Sequence, residues 1–345
     1  MCGLPWRRNS IPVQNASKLI WISLAIAALF IGCRPSPQRL TVGSLSLFGG
    51  DERLAIDVTE RLTANLYDRS VIHTHSDAEG HSERLEDLAV GLVETEVDLI
   101  FAYSTPAAEA AKRAVAGTDV PVIFALVDDP VQAGLVTSLD NPEGQVTGVM
   151  TLALPLAGKA VDTLIRIDPD VERALLLRTP NPAYDRIVEA YRIAARQAGL
   201  DLSLVEVDTP GEAAQAYLDA AAGRFDAVIE SPESEIRHAG LSLGALPARD
   251  GIPAISASGR GDSATIAYET DLESLVDQLA FLGEKLLNGT AQAPLPVEIP
   301  RRFKLRLFTD RAAHIGYTFS DSALMLADDI VDLEQDGVAE SPSRW

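Results

Sequence analysis

Residues 96–111 read EVDLIFAYSTPAAEAA, and residues 224–239 read RFDAVIESPESEIRHA. In each, a short apolar run stops at a hydroxyl-bearing residue followed by proline, and a longer stretch comes next. An apolar run of this length reads as a buried strand, and the alanine-rich run behind Leu99–Tyr103 reads as a helix. Thr105 stands where a helix needs a cap, and Pro106 where the first helical residue has no use for its N–H. A second pair follows in the same order: DVPVIFAL at 119–126 and GIPAISAS at 251–258. Strand, capped helix start, helix and proline-led strand thus occur twice. Two copies point to a duplicated domain rather than a solenoid.

The rest of the chain fits around these two units. Strands are expected at Leu40–Leu47, 97–103, 120–127 and 144–150, with helices at 53–66 and 106–116. The second unit is expected to place helices at 155–166, 184–198, 212–223 and near 233–246. Its strands fall at 173–178, 202–207, 225–230 and 252–257. Strand and helix in alternation imply an α/β fold with parallel sheets covered on both faces. A small polar residue before proline ends a strand four times: Thr105-Pro106, Asp129-Pro130, Asn181-Pro182 and Ser231-Pro232. Ligands of open parallel sheets bind outside the carboxyl ends of the strands. Four such junctions in two lobes therefore point to a small-molecule cleft between them.

The first 32 residues are expected to be a signal peptide. Arg7, Arg8 and Lys18 precede the apolar run LIWISLAIAALFIG, which is short for a membrane span and ends at Cys33. LFIGC resembles a bacterial lipobox, with Gly32 before the cut, Cys33 as lipid acceptor and Phe30 where such motifs usually carry leucine. Residues 33–39 would form a tether, and 332–345 a flexible tail. The chain has two cysteines, Cys2 and Cys33. The mature part would then hold no internal disulfide and no thiol nucleophile. Fifty acids face 29 lysines and arginines, and three of those bases but no acid precede Cys33. The remaining 26 bases against 50 acids make nucleic acid an unsuitable partner. Attachment to a membrane would rest on the lipid alone.

Three longer stretches carry a family resemblance: VDLIFAYSTPAAEAAKRA, VPVIFALVDDPVQAGLVTSLDNPEGQVTGV and LPVEIPRRFKLRLFTDRAAHIG. They resemble the ABC-transporter substrate-binding lipoproteins of the tryptophan- or phenylalanine-binding type, over about residues 40–330. The resemblance implies two Rossmann-like lobes in the type I periplasmic-binding-protein fold, closing on a ligand. The lobes would be 40–150 and 151–265, with 266–331 completing both. Crossings are expected near Met150–Pro155, Ser258–Tyr268 and Leu287–Pro296. It further implies a lipid-anchored protein on the periplasmic face of the cell envelope, delivering an amino-acid-like metabolite to an ABC permease and its ATPase. A sensory protein presenting its ligand state to a membrane receptor shares the same fold and is the alternative. The sequence departs from the family at Glu233, Ser234 and Thr309, where Asp, Asn and Asn are usual.

An amino-acid ligand calls for two opposite devices. Ser104 and Thr105, with Asn181 or Ser231 across the cleft, are candidates for its carboxylate. Asp128 or Asp129, with Glu233 or Asp271, are candidates for its ammonium, and charge assistance makes such bonds strong. Asp129 competes with a plain capping role. Phe48, Tyr103 and Tyr184 are candidate ring neighbours, and each also reads as core packing. HTHSDAEGH at 73–81 reads as an exposed loop whose spacing fits no closed zinc site. SASGRGDS at 256–263 lacks the lysine and helix of a phosphate loop. No catalytic triad can be assembled, and no cofactor motif is present, so a binding protein is expected rather than an enzyme.

Overall fold

The computed structural model describes residues 38–67, 69–142, 144–207, 215, 224–230, 251–257, 264–289 and 295–332. The first lobe runs β1 (Gln38–Ser46), α1 (Glu52–Asn65), β2 (Arg69–Asp77), α2 (Leu85–Glu94), β3 (Leu99–Tyr103), α3 (Thr105–Ala114), β4 (Val122–Val127) and β5 (Val146–Met150). The second runs α4 (Ala153–Ile167), β6 (Arg173–Arg178), α5 (Asp185–Ala198), β7 (Asp201–Glu206), β8 (Ala227–Ile229), β9 (Ala254–Ser256) and β10 (Ile266–Thr270). Then come α6 (Leu272–Leu287), β11 (Phe303–Phe308), α7 (Thr309–His314), α8 (Asp321–Leu324) and β12 (Asp329–Val331).

The first sheet has the order β2-β1-β3-β4-β5 and is wholly parallel. The second has the order β12-β11-β10-β9-β8-β6-β7, so its last five positions repeat the first sheet in strand order. Only β11 runs antiparallel to its neighbour β10. The duplication extends to single hydrogen bonds. Asp98 Oδ2 accepts from the Thr41 N–H at 2.7 Å, and the Asp98 N–H donates to Thr41 O at 2.7 Å. Asp226 repeats this in the second lobe: its Oδ2 accepts from the Arg173 N–H, and its own N–H donates to Arg173 O, both at 2.9 Å. In each lobe this aspartate ties the entry of the third strand to the start of the first.

The helices after β5 and β10 are exchanged between lobes. α4 buries Leu156, Val161 and Leu164 against β6 and α5 of the second lobe. α6 returns to the first lobe and buries Leu275, Leu279 and Leu282 against Val58 and Leu62 of α1. The chain then runs along the outer edge of β5, where the Met150 N–H donates to Glu298 O and the Glu298 N–H to Gly148 O. From Arg301 it re-enters the second lobe as β11. The second and third crossings therefore fall at Asp271 and Pro300, a few residues beyond the links expected from sequence. Each helix swap sets the two lobes side by side with the carboxyl ends of their strands near the crossings.

Two positions at the end of the first sheet are conformationally unusual. Gly148 lies so close to β4 that an added Cβ would sit 2.2 Å from Phe124 O. Leu126 (φ 59°) forms the bulge in β4 that shifts its register with β5. The strand β2 is a correction to the sequence reading: His73–Asp77 continues an edge strand, and only the following residues turn. Its half-buried, polar pattern hides the alternation that would have marked it. The helices expected at 212–223 and 233–246 lie largely or wholly outside the described residues, and the stretch 258–263 lies outside them.

Candidate functional site

The β3–α3 junction is built around Ser104. Its φ of 101° and ψ of 158° lie in a region that residues with a Cβ avoid. The Ser104 N–H donates to Ala125 O at 3.1 Å, which holds the turn against β4. Ser104 Oγ accepts from the Ala107 N–H at 3.4 Å. The cap is therefore Ser104, one residue earlier than the sequence suggested, and Thr105 begins the helix with Pro106 behind it. This frees Thr105: among the described residues nothing accepts from its N–H or meets its hydroxyl. A half-buried hydroxyl and N–H at the start of a ten-residue helix suit an anionic group.

β4 delivers the two aspartates beside it. Asp128 is exposed and accepts a hydrogen bond from Thr151 Oγ1, just beyond the end of β5. Asp129 uses one oxygen to cap the next turn, accepting from the Gln132 N–H at 2.9 Å. Its other oxygen accepts from Arg186 Nη1 at 3.2 Å. Arg186 stands in the first turn of α5, so this ion pair joins the two lobes across the mouth of the cleft. Sequence reasoning missed Arg186, because an arginine early in a helix has no local mark of a partner 57 residues away.

Around Arg186 lies the matching junction of the second lobe. The Asn181 N–H donates to Thr179 Oγ1 at 3.3 Å, and Asn181 O accepts from the Tyr184 N–H at 3.3 Å. The Tyr184 ring packs on the second lobe's core, next to buried residues such as Ile187 and Tyr191. Arg178, at the end of β6, is held by Asp185 at 3.0 Å and Glu206 at 3.6 Å.

Three other sequence candidates have structural places. Phe48 follows β1 and lies against Gly80, where an added Cβ would meet its ring at 3.4 Å. Tyr103 does not line the cleft. It is fully buried under α1, its hydroxyl has no hydrogen-bond partner, and burial pushes its pKa up. Asp271 is buried at the second crossing, with Arg302 Nε and Lys304 Nζ each 3.7 Å from its carboxylate. It caps the path of the chain between lobes and is neutralised there by two cations. Ser231, Glu233 and Cys33 lie outside the described residues.

HTHSDAEGH supplies a network that the sequence reading had placed in a loop. His73 and His75 share one face of β2, and Ser44 Oγ lies 2.8 Å from both His73 Nε2 and His75 Nδ1. Ser46 Oγ is 3.4 Å from His75 Nε2. Burial lowers the pKa of both imidazoles, more than Glu52 and Asp77 raise them. The described residues contain no cluster suited to a metal ion.

Residues 58–331 match the profile of the family described as ABC transporter substrate binding protein. The chain belongs to this family. A tyrosine-binding protein of Clostridioides difficile is 27% identical over 216 residues, a match spanning 61% of each chain. An ABC domain from Streptococcus pneumonia solved with L-tryptophan shares the fold, with a TM-score of 0.71 at 22% identity, over 85% of this chain and all of that one. The ligand-free, open structure of a substrate-binding protein with adhesive properties from Clostridium difficile gives a TM-score of 0.66 at 20% identity, over 85% and 99% of the two chains. These two likenesses support the type I periplasmic-binding-protein architecture of paired α/β lobes.

Proposed function

We propose that this substrate-binding protein takes an amino acid with an aromatic side chain into the cleft between its lobes and presents it to an ABC permease outside the cytoplasm. The observation that carries the reading is the junction at Ser104–Thr105, which leaves the Thr105 N–H and hydroxyl without protein partners at a helix start facing the second lobe. They would take the ligand carboxylate. The exposed Asp128, oriented by Thr151, would take the ammonium. Phe48, at the rim beside Gly80, would meet the ring, with Asn181 and Tyr184 opposite. The tyrosine-binding relative and the tryptophan-bound structure support the ligand class. The basic, apolar leader ending at Cys33 supports a lipid anchor.

Calorimetry with L-tyrosine, L-tryptophan and a panel of other amino acids and small carboxylates tests the reading. An aromatic amino acid is expected to bind best. Thr105→Val should weaken it by about 1–3 kcal/mol, the scale of a buried polar partner left unpaired. It should hardly change folding, since Ser104 supplies the cap. No binding by any member of the panel would overturn the amino-acid reading. Equal affinity of the valine variant would remove Thr105 from the site.

A further inference from the structure

We propose that Asp129 and Arg186 form an electrostatic latch that holds the two lobes together before any ligand arrives. The pair is placed for this. Asp129 follows β4 at the carboxyl edge of the first sheet, and Arg186 lies in the first turn of the helix that follows β6 in the second. Their 3.2 Å contact spans the cleft mouth, and no covalent crossing runs beside it: the chain crosses at 151–152, at Asp271 and at Pro300. Opening the cleft must therefore break it.

The aspartate is preorganised and the arginine is selective. Oδ1 of Asp129 is fixed by the Gln132 N–H, which leaves Oδ2 aimed outward. Nearby acids have other partners: Asp185 and Glu206 hold Arg178, and Glu189 holds Arg192 and Arg196. Both latch residues remain partly exposed, at 64% and 41% of their side-chain surface. A pair in that setting is weak and screened by salt. A weak contact suits a latch, because a ligand has only a small bias to add or to overcome.

The test is a distance measurement on the ligand-free full chain in detergent, and it does not depend on which ligand the cleft takes. Cys2→Ser and Cys33→Ser remove the native thiols, and Glu94→Cys and Gln197→Cys carry spin labels at the far ends of α2 and α5. In the unaltered pair the short interlobe distance should dominate. Asp129→Asn keeps a capping side chain but removes the charge, and Arg186→Gln removes its partner. Each should lower the ratio of short to long distances about two- to fivefold, the range of an exposed ion pair. The double variant should be no worse than either single one, Arg186→Lys should largely restore the ratio, and 1 M salt should open the unaltered chain alone. Unchanged distances in both single variants would overturn the latch. So would additive effects in the double variant, which would mean that the two residues act separately. Unchanged circular dichroism separates either outcome from unfolding.

Discussion

The two lobes share a strand order but differ in one buried layer. In the second lobe, Leu176 of β6 faces Leu202 and Leu204 of β7, and the layer is aliphatic under α5. The same register positions in the first lobe are Ser44 of β1 and His73 and His75 of β2. One lobe thus closes its sheet edge with hydrocarbon and the other with a hydroxyl between two imidazoles. A Ser44 hydroxyl has one proton to give. It can donate to His75 Nδ1 while accepting from the His73 Nε2–H, which leaves the His75 Nε2–H for Ser46. That pattern holds when both rings are neutral. A second proton on His75 faces Ser44 with two donors and no acceptor. Identical topology therefore tolerates both solutions, but only the first lobe's depends on pH.

The largest effect expected from this contrast comes from matched truncations. Leu176→Ala empties a fully buried site and should cost about 2–5 kcal/mol. Ser44→Ala removes little volume but strips two half-buried rings of a shared partner, and should cost about 1–3 kcal/mol. Denaturant titration of both variants measures the difference. A serine variant as costly as the leucine variant would mean that the network, not the apolar layer, dominates its lobe.

Acid is the next lever, and its sign follows from burial. Both imidazoles have folded pKa values below the ordinary 6.5, chiefly because burial disfavours the charged ring. The unfolded chain then binds more protons than the folded one in the window just below 6.5. Their contribution to stability is complete above that value and is lost as pH falls toward the lowered folded values. Melting temperature should therefore drop between pH 7 and pH 5. Replacing Ser44, His73 and His75 together by leucine would copy the second lobe, and should flatten that part of the profile at little cost in stability at pH 7. An unchanged acid slope in the triple variant would place the titration elsewhere, for instance in the carboxylates.

Much of this architecture was readable before any coordinates. The parallel between 96–111 and 224–239 reflects equivalent third strands, β3 and β8, and the proline-led pair reflects β4 and β9. These strands are buried on both faces, so their composition is nearly all apolar and survives in the sequence as a run. β2 was not readable, because an edge strand with serine and histidine inside loses the alternation on which the reading rests. The site divides in the same way. Ser104, Thr105, Asp128 and Asp129 were found because strand ends and proline mark them. The shift of the cap from Thr105 to Ser104 was not, since it depends on a positive φ that only the packing of β3 beside β4 enforces. Arg186 and the cations around Asp271 were invisible for another reason: long-range ion pairs leave no periodic trace.

The smallest expected effect on folding concerns Ser104 itself, and it separates stability from function. Its φ of 101° and ψ of 158° suit glycine far better than serine, and such a conformation costs on the order of 1–3 kcal/mol. The cap bond opposing this cost is long, at 3.4 Å, and glycine caps helices with a loss of only a few tenths of a kcal/mol relative to serine. Ser104→Gly gives back about 0.4–1 kcal/mol through the added freedom of the unfolded chain. The balance favours the variant, which should be as stable as the parent or more stable by about 1 kcal/mol in denaturant titration. Ligand affinity should move the other way. The serine side chain ties the first turn of α3 and so fixes the direction of the Thr105 N–H, whereas glycine would let that turn sample others. A gain in stability with a loss of affinity would mark the junction as strained for binding, in contrast to Asp98 and Asp226, which serve folding alike in both lobes. A loss of both would show that the hydroxyl is needed simply to hold the helix start.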